Sequence, residues 1–450
     1  TTASYNTAVG DRALDSNVSG TRNTAVGYKA LEDTGNGNDN TAVGWQALDD
    51  CASSDNTAVG SGALKLNTTG TENTAVGAGA LDANTTGSGN VAVGRAALTA
   101  QVDGGASNHA FGYYALAGNT TGDDNVAVGY QAMITNTDGD SNTAVGHKAL
   151  AGNTTGNYNT AVGRYTMGVS TTGNRNVAIA PFALDANTTG NYNVAIGYAS
   201  LSHTETIDHN TAVGYLTLYA CTTGNNNTAV GSGALDANTT GSHNTAVGYG
   251  ALGSQITGSN NAAVGSYCLD ITTTGSYNIA MGHDVARALT SGGNNICLGQ
   301  VAGNHTTSGY YNTFLGYGAG RYNTTGYSNV SIGFYAGRQT TGSKNISIGY
   351  DAGPTSSQIT WSDRLYIDKS RLGSGSLIYG NMTSRTVTIN GALSISGSLN
   401  STSGSITADI TGGITVPSNK TITIPSINQV TISGTNTNMY LGYQSGWGGV

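Results

Sequence analysis

Aromatic side chains recur at one place in this chain, directly after a glycine that returns about every 17 residues. The residues at that place are Tyr28, Trp45, Tyr130, Tyr198, Tyr215, Tyr249 and Tyr317. Three more aromatics, Tyr440, Tyr443 and Trp447, lie close together near the end of the chain. Exposed aromatic rings on a rigid scaffold can stack on sugar rings, so these residues are the candidate glycan-binding surface. The alternative is that they are strand-favouring residues that pack sideways on their neighbours.

Residues that could support catalysis or bind a metal are sparse. The seven His residues are scattered, and none has a partner at the spacing of metal ligands. Glu occurs only at Glu32, Glu72 and Glu205, so a pair of catalytic carboxylates is not expected. The D-G-D segment at 138–140 could bind Ca²⁺, but the G-G-x-G-x-D nonapeptide is absent, and we interpret the segment as a solvated turn. We therefore predict no enzymatic activity, no metal site and no cofactor.

A 17-residue motif, N-T-A-V-G-x-x-A-L-x-x-N-T-T-G-x-x, positions these residues. Twenty-one copies follow one another, the first starting at Asn6 and the last at Asn345. Of the 20 intervals between starts, 17 are 17 residues long and the others are 16, 18 and 16. Such a strict repeat is typical of a solenoid, in which each copy forms one turn that stacks on the next.

Within each copy, N-T/V-A-V/I-G predicts a β-strand. Its third position is Ala in 17 of 21 copies and its fourth is always a larger apolar residue. Because neighbouring strand residues point to opposite faces, one face is lined with Ala and the other with Val and Ile. The next residue, Gly in 20 of 21 copies and Ala180 in the other, predicts a corner. The A-L pair predicts a short second strand and N-T-T-G a second turn. The fold class is therefore all-β, a parallel β-solenoid (β-roll) of 21 rungs of about 17 residues.

The first residue of every copy is Asn. Stacked at the spacing of β-strands, these side chains predict a ladder in which each amide bonds to the amides above and below. The ladder includes Asn6, Asn23, Asn40, Asn73 and Asn227.

The four Cys residues are too scattered for a disulfide framework, and we predict four unpaired thiols. We interpret the N-T-T sequons at Asn67, Asn84, Asn187 and Asn238 as turns.

If Ala lines a thin interior, the Val and Ile positions form an apolar stripe along the outside, about 100 Å long. A soluble monomer does not tolerate an exposed stripe of that size, so we predict a rotationally symmetric homo-oligomer. A monomer is the alternative if Val and Ile face inward.

The sequences N-T-A-V-G-x-x-A and N-V-A-I-G-Y-A-S resemble the S-V-A-I-G-x-x-A/S rungs of trimeric autotransporter adhesin heads, over residues 1 to about 354. Those heads are trimers of left-handed parallel β-rolls, so the resemblance implies a homotrimer. The rung is longer here by the N-T-T-G element. The N-T-A-V-G-Y-x-A-L arrays also resemble those of phage tail fibres and related bacterial fibre proteins.

The pattern changes near Pro354. W-S-D-R-L-Y-I-D-K-S and S-L-I-Y-G-N-M-T-S-R-T-V-T-I-N-G-A-L resemble the junction at which fibre proteins continue into an intramolecular chaperone of the endosialidase type. Beyond it, apolar residues with a period of two predict short strands that could form a β-prism around a threefold axis. We predict a solenoid at 1–354, a junction at 355–385 and a β-rich trimeric shaft or tip at 386–450. We expect the chain to be a fragment or a product from which such a chaperone has been cleaved.

The net charge of −8 and the absence of a Lys/Arg cluster argue against a nucleic-acid partner. No apolar run approaches 18 residues, so no membrane insertion is expected. The leading hypothesis is a structural and receptor-binding fibre on the surface of a phage or phage-like particle. Its partner would be a host surface polysaccharide or another cell-surface receptor. The main alternative is an extracellular trimeric adhesin or filament subunit. Two remote alternatives are an ice-binding solenoid and a glycan-cleaving tail enzyme, for which no acid pair is found.

Overall fold

In the computed structural model, residues 3–33, 35–102, 104–354, 360–368 and 377–389 are described. They lie in one compact unit and contain 24 β-strands and no helix. The strands are β1 Thr7–Val9, β2 Thr24–Val26, β3 Thr41–Val43, β4 Thr57–Val59, β5 Thr74–Val76, β6 Val91–Val93, β7 His109–Phe111, β8 Val126–Val128, β9 Thr143–Val145, β10 Thr160–Val162, β11 Val177–Ile179, β12 Val194–Ile196, β13 Thr211–Val213, β14 Thr228–Val230, β15 Thr245–Val247, β16 Ala262–Val264, β17 Ile279–Met281, β18 Ile296–Leu298, β19 Thr313–Leu315, β20 Val330–Ile332, β21 Ile346–Gly349, β22 Arg364–Asp368, β23 Ile378–Asn381 and β24 Thr386–Ile389.

The first 21 strands are one to each copy of the repeat, and each pairs in parallel with the next. Equivalent residues stand opposite one another, as Ala144 does to Ala161. The register is kept across the 16- and 18-residue intervals, where Thr41 pairs with Thr57 and Val91 with His109. The missing or extra residue therefore lies in the segments between the strands, and the pairing of the strands is unchanged. The predicted parallel β-solenoid of about 21 turns is confirmed.

The interior of the solenoid is thin. Each regular turn buries the Ala of its strand and the Ala and Leu that follow the corner, as Ala144, Ala149 and Leu150 do. The strand Val and Ile residues point the other way and stay partly exposed, Val76 by 37%. This confirms that Ala faces inward and Val and Ile outward. Burying one Leu side chain in a turn stabilises the stack by roughly 1.5–3 kcal/mol.

The prediction of a short second strand at the A-L pair is wrong. That segment is a turn with left-handed residues, such as Lys29 (φ 55°) and Leu31 (φ 50°). An extended strand would point neighbouring side chains to opposite faces and expose either the Ala or the Leu. The left-handed residues let both side chains face inward, while Leu31 N–H reaches Ala47 O at 3.1 Å in the next turn. These contacts offset a conformational cost of about 1–2 kcal/mol per left-handed residue.

The repeated Asn side chains lie in one column through the solenoid. In a typical turn Asn159 N–H donates to Asn142 Oδ1 at 2.9 Å, and Asn159 Nδ2 donates to Gly173 O at 2.7 Å. Each amide thus bonds mainly to backbone groups, with amide-to-amide contacts added in some turns, such as Asn176 Nδ2 to Asn159 Oδ1 at 3.2 Å. Of the ladder residues named from the sequence, Asn6 is partly exposed and Asn23, Asn40, Asn73 and Asn227 are buried.

A second buried column is formed by the first residue of N-T-T-G. Asn84 Nδ2 donates to Asn67 Oδ1 at 2.9 Å and to Gly87 O at 3.1 Å. The four sequon residues Asn67, Asn84, Asn187 and Asn238 are all fully buried. A glycosyltransferase could not reach these amides in the folded chain, which agrees with their interpretation as turns.

The last three strands extend the sheet differently. Strand β22 pairs in parallel with β21, and β22, β23 and β24 then form an antiparallel meander. Tyr366 of β22 stands opposite Ser347 and is buried, so it closes the narrow core at this end. The predicted shaft or tip beyond Ile389, including the Tyr440, Tyr443 and Trp447 cluster, lies outside the described residues, so the β-prism stays a prediction.

The four thiols are free, as predicted, and the structure shows that all four are buried. Burial raises the pKa of Cys221 to about 11 and that of Cys268 to about 12. Because the thiolate is the reactive form, we expect iodoacetamide at pH 8 to label none of the four in the native chain and all four in denaturant. Mass spectrometry of the two samples counts the labels. Labelling of Cys221 or Cys268 before unfolding would contradict the buried placement.

Candidate functional site

The two residues after each corner, here called the corner slots, carry most of the aromatic rings of the solenoid. Seven consecutive turns place rings there that contact one another in sequence. These rings, the aromatic column, are Tyr113, Tyr130, His147, Tyr165, Phe182, Tyr198 and Tyr215. Neighbouring centroids are 5.1 to 5.9 Å apart. The column follows from in-register stacking, since the same slot recurs at about 4.8 Å along the sheet.

Stacking decides which ring faces a ligand could reach. Tyr130 is stacked on Tyr113 with 5° between the planes and on His147 with 10°. Both faces of the Tyr130 ring are therefore covered, and its edge is what remains available. This is the sideways packing that stands as the alternative to sugar binding at these positions. Each such pair contributes about 0.5–1.5 kcal/mol to the stack.

Tyr28 and Trp45 lie in consecutive turns near the beginning of the solenoid, apart from the column. Both rings are exposed, Trp45 by 52%. The Lys29 ammonium is 6.0 Å from the Tyr28 centroid and the Lys65 ammonium 5.8 Å from the Trp45 centroid. The turn after Trp45 has Ser and Gly in its corner slots, so no ring from that turn stacks on Trp45.

Three adjoining grooves run beside the aromatic column, with volumes of about 500, 390 and 480 Å³ along the chain. The first two share Phe182 and Asp185, and the last two share Leu216. Together they form one feature, the flank groove, which spans nine turns from the one starting at Asn125 to the one starting at Asn261. At about 4.8 Å per turn its length is roughly 40 Å, enough for several sugar units of an extended polysaccharide.

Carboxylates lie along this groove. Burial raises the pKa of Asp185, and burial together with the nearby charge of Asp270 raises the pKa of Asp236. Asp270 is paired with Arg287 at 3.1 Å, whereas no cation of the described chain lies within ion-pair distance of Asp236. An unpaired carboxylate beside aromatic rings is an acceptor for sugar hydroxyl groups.

A second aromatic arrangement lies at the residue that precedes the ladder Asn, and sequence reasoning missed it. The Arg175 guanidinium lies between two rings, 5.4 Å from the centroids of both Tyr158 and Tyr192. Tyr192 in turn stacks on His209 at 4.9 Å. The available signal was the run of Tyr158, Arg175, Tyr192 and His209, which stand one position before the ladder Asn in four consecutive copies. The Arg175 guanidinium covers the ring faces that Tyr158 and Tyr192 turn toward each other. The arrangement therefore stabilises the stacked turns and does not form a binding site.

Comparison of the chain with protein-family models, with curated proteins and with solved structures found no match. Function is therefore inferred from the fold and its surface chemistry. The described residues hold no cluster of three or more His, Cys, Asp or Glu side chains that could bind a metal ion. They also include no helix that could cross a membrane.

The D-G-D segment at 138–140 is engaged in turn contacts. Asp138 Oδ1 accepts hydrogen bonds from the hydroxyls of Thr121 at 2.7 Å and Thr120 at 3.1 Å, and these hold its pKa below its usual range. Asp140 Oδ1 accepts from Asp123 N–H at 2.9 Å in the preceding turn. Both carboxylates therefore link adjacent turns, as expected for turn residues.

Proposed function

We propose that the chain forms a homotrimeric fibre of a phage or phage-like particle that presents a receptor-binding surface to a host cell. The observation that carries this proposal is the outward strand face. The second and fourth residues of each repeat copy, such as Thr143 and Val145 at the two ends of β9, share that face. Over 21 turns they form a Thr, Val and Ile surface about 100 Å long. A soluble monomer rarely exposes an apolar patch above about 300–600 Å².

A rotationally symmetric trimer would cover this surface with one repeated contact. Each turn would supply the same residues to the axis, so the whole stripe is buried without a second type of interface. The corner Gly separates the strand face from the corner slots, so the flank groove can stay accessible in the trimer. Three grooves on one fibre would bind a repeating host polysaccharide with an avidity well above that of a single groove.

The same architecture would serve a bacterial cell-surface adhesin or filament subunit. The two functions differ in what the fibre is attached to, a virion or a cell. In both, the chain acts outside the cell, has no catalytic role and binds a surface glycan or another cell-surface receptor.

An ice-binding solenoid is a second candidate, and one observation favours it. Thr and Val share the outward strand face in 10 of the 21 turns, five of them consecutive at the start of the solenoid, which makes a regular surface there. The N-T-T-G threonines do not add to it, since they bond backbone groups, as Thr154 Oγ1 does to Thr171 O at 3.0 Å. Ice binding requires the strand face to be open to water and therefore a monomer, so the oligomeric state decides between the two candidates.

Light scattering of the purified chain tests the proposal. We expect about three times the chain mass of 45.3 kDa. The Val145→Asp variant should fail to form the trimer, because it would bury three unpaired carboxylates near the axis at a cost of about 3–5 kcal/mol each. Thr155 is exposed and lies in an N-T-T-G segment, so the control variant Thr155→Asp should leave the mass of the trimer unchanged.

A monomeric wild-type chain would overturn the trimeric fibre and favour the ice-binding candidate. Thermal hysteresis of the purified chain would then be the property to measure. A Val145→Asp variant that stays trimeric would show that the strand face is not the interface. Adsorption of the trimer to purified bacterial surface polysaccharides then tests receptor binding directly. No adsorption to any host surface would leave the fibre as a spacer without a receptor site.

A further inference from the structure

The aromatic rings in the corner slots are interrupted at one turn. Ten consecutive turns, from the one starting at Asn108 to the one starting at Asn261, each carry a ring there except the turn with Ser232 and Gly233. Tyr215 precedes this turn and Tyr249 follows it. Gly233 N–H bonds to Tyr215 O at 3.0 Å, so the backbone stacking continues through the gap. The vacancy is therefore a missing side chain in an otherwise regular stack.

Each of the two rings beside the vacancy contacts another aromatic ring on the side away from the vacancy and has no ring next to it on the side that faces the vacancy. Tyr215 stacks on Tyr198 at 5.7 Å, and Tyr249 meets Tyr267 edge to face at 5.2 Å. Each is 55% exposed, more than Tyr113, Tyr130 and Tyr198 in the aromatic column. Each ring is therefore fixed by a contact on one side, and its other side is free toward the vacancy. That is the arrangement of a stacking platform rather than of a filled ladder.

The width of the vacancy matches one flat ring. The corner slots of Tyr215 and Tyr249 are two turns apart, which is about 9–10 Å at the spacing of stacked strands. A ring placed midway would lie about 5 Å from each tyrosine, close to the spacing within the aromatic column. The space is open: a groove of about 480 Å³ lies here, and glycines also follow Tyr249 and precede Ser254.

The polar groups around the vacancy suit a polyol. The Asp236 carboxylate lies beside it, with Oδ2 4.0 Å from where a Cβ on Gly233 would be. The Ser232 and Ser254 side chains line the same groove. A quaternary ammonium ion could also use the rings and the carboxylate, because the Arg287 guanidinium, 4.8 Å from the Tyr267 centroid, is paired with Asp270 and Asp284 and does not repel it. The serine hydroxyls favour a polyol, since they can exchange hydrogen bonds with its hydroxyl groups, whereas a quaternary ammonium ion has no N–H to donate.

We propose that this vacancy is a subsite for one neutral pyranose unit of a polysaccharide, stacked between Tyr215 and Tyr249 with two adjacent hydroxyls on the Asp236 carboxylate. The assignment rests on the proposed glycan-binding function and places one subsite of it within the flank groove. Its neighbours along the groove would be occupied by the units before and after it in the polysaccharide chain.

The test is to fill the vacancy without removing any native ring. Ser232→Tyr places a tyrosine in a slot that already holds one in the turns before and after, so the fold should accept it. The control is Ser61→Tyr, because the two sites share the sequence G-S-G-A-L and Ser61 lies outside the flank groove. The probes are methyl glycosides of glucose, galactose, mannose and N-acetylglucosamine, with choline chloride as the cationic probe. Saturation-transfer NMR and titration on the purified chain give the affinities.

We expect at least one methyl glycoside to bind the wild-type chain and Ser61→Tyr equally. Ser232→Tyr should weaken that binding roughly 10- to 100-fold, through the loss of two stacking contacts. Asp236→Asn should also weaken it while leaving the rings in place. Unchanged affinity in Ser232→Tyr, or no glycoside binding to the wild-type chain, would overturn the subsite. Choline binding that depends on Ser232 would overturn the sugar assignment in favour of a cation site.

Failure of the subsite and failure of the receptor function give different results. If Ser232→Tyr fibres still adsorb to a surface polysaccharide as the wild type does, the subsite is wrong and the receptor function stands. If the wild-type fibre adsorbs to no polysaccharide yet binds a methyl glycoside in a way that Ser232→Tyr blocks, the subsite stands and the receptor function fails.

Discussion

Replacing Gly60 by alanine should destabilise the turns around it by roughly 3–5 kcal/mol, because two costs add. The residue has φ +143°, and a Cβ there would lie 2.5 Å from Gly77 O and 2.6 Å from Gly77 C in the next turn. The corner glycines stack on one another, so the obstruction is backbone that cannot swing away. Hydrogen exchange should show faster exchange in the turns starting at Asn56 and Asn73.

Gly62, two residues further on, is the matched control. It also has a positive φ, +68°, but a Cβ there would meet nothing within 4 Å. Other turns carry Lys29, Gln46 and Ala96 at this position with φ near 50°. We expect Gly62→Ala to cost no more than about 1–2 kcal/mol, the price of the left-handed conformation alone. Equal effects of the two substitutions would show that close backbone approach does not govern the corner.

The second large effect is expected from Asn159→Ala in the buried Asn column. The substitution removes the acceptor of Asn176 N–H, at 3.0 Å, and the donor to Gly173 O, at 2.7 Å. Both remaining groups are buried, and an unsatisfied buried polar group costs about 1–3 kcal/mol. With the cavity, we expect a loss of roughly 3–5 kcal/mol in the free energy of unfolding. Because each turn contacts only its neighbours, the loss should be local and is best followed by hydrogen exchange.

Asn157→Ala tests whether burial is the cause. This side chain also links two turns, since its Oδ1 accepts from Asp140 N–H at 2.6 Å, but it lies at the partly exposed rim. Water can replace it there, so we expect a loss below about 1 kcal/mol. If Asn157→Ala and Asn159→Ala destabilise the chain alike, the Asn column is not the element that holds consecutive turns in register.

Much of the solenoid could be predicted because its long-range contacts repeat. Once the period is known, every residue meets its equivalent 17 residues away, and the pairing of Ala144 with Ala161 needs no further information. The alternation of Ala and Val likewise placed them on opposite faces through strand geometry alone, and the structure then showed that the Ala face is the buried one. The corner at Gly and the unpaired thiols followed from the same regularity.

The conformation of the A-L turn could not be predicted in the same way. Lys29 and Leu31 are residue types that avoid positive φ, and the stacked turns above and below impose it on them. The hydrogen bonds of the Asn column differ from simple amide stacking for a related reason. The carbonyl of the Gly that ends the N-T-T-G segment lies nearer to a typical Asn side chain than the next Asn amide does. Neither feature is visible in a single copy of the repeat.

The sequence by itself determined the architecture, because a strict 17-residue period with one buried strand residue per turn admits little but a parallel stack. It also located the aromatic residues. Only the tertiary structure decided which of their faces are free, because a ring is covered or open according to the side chain one turn away. Tyr130 is closed by Tyr113 and His147, whereas Tyr215 faces the space left by Ser232.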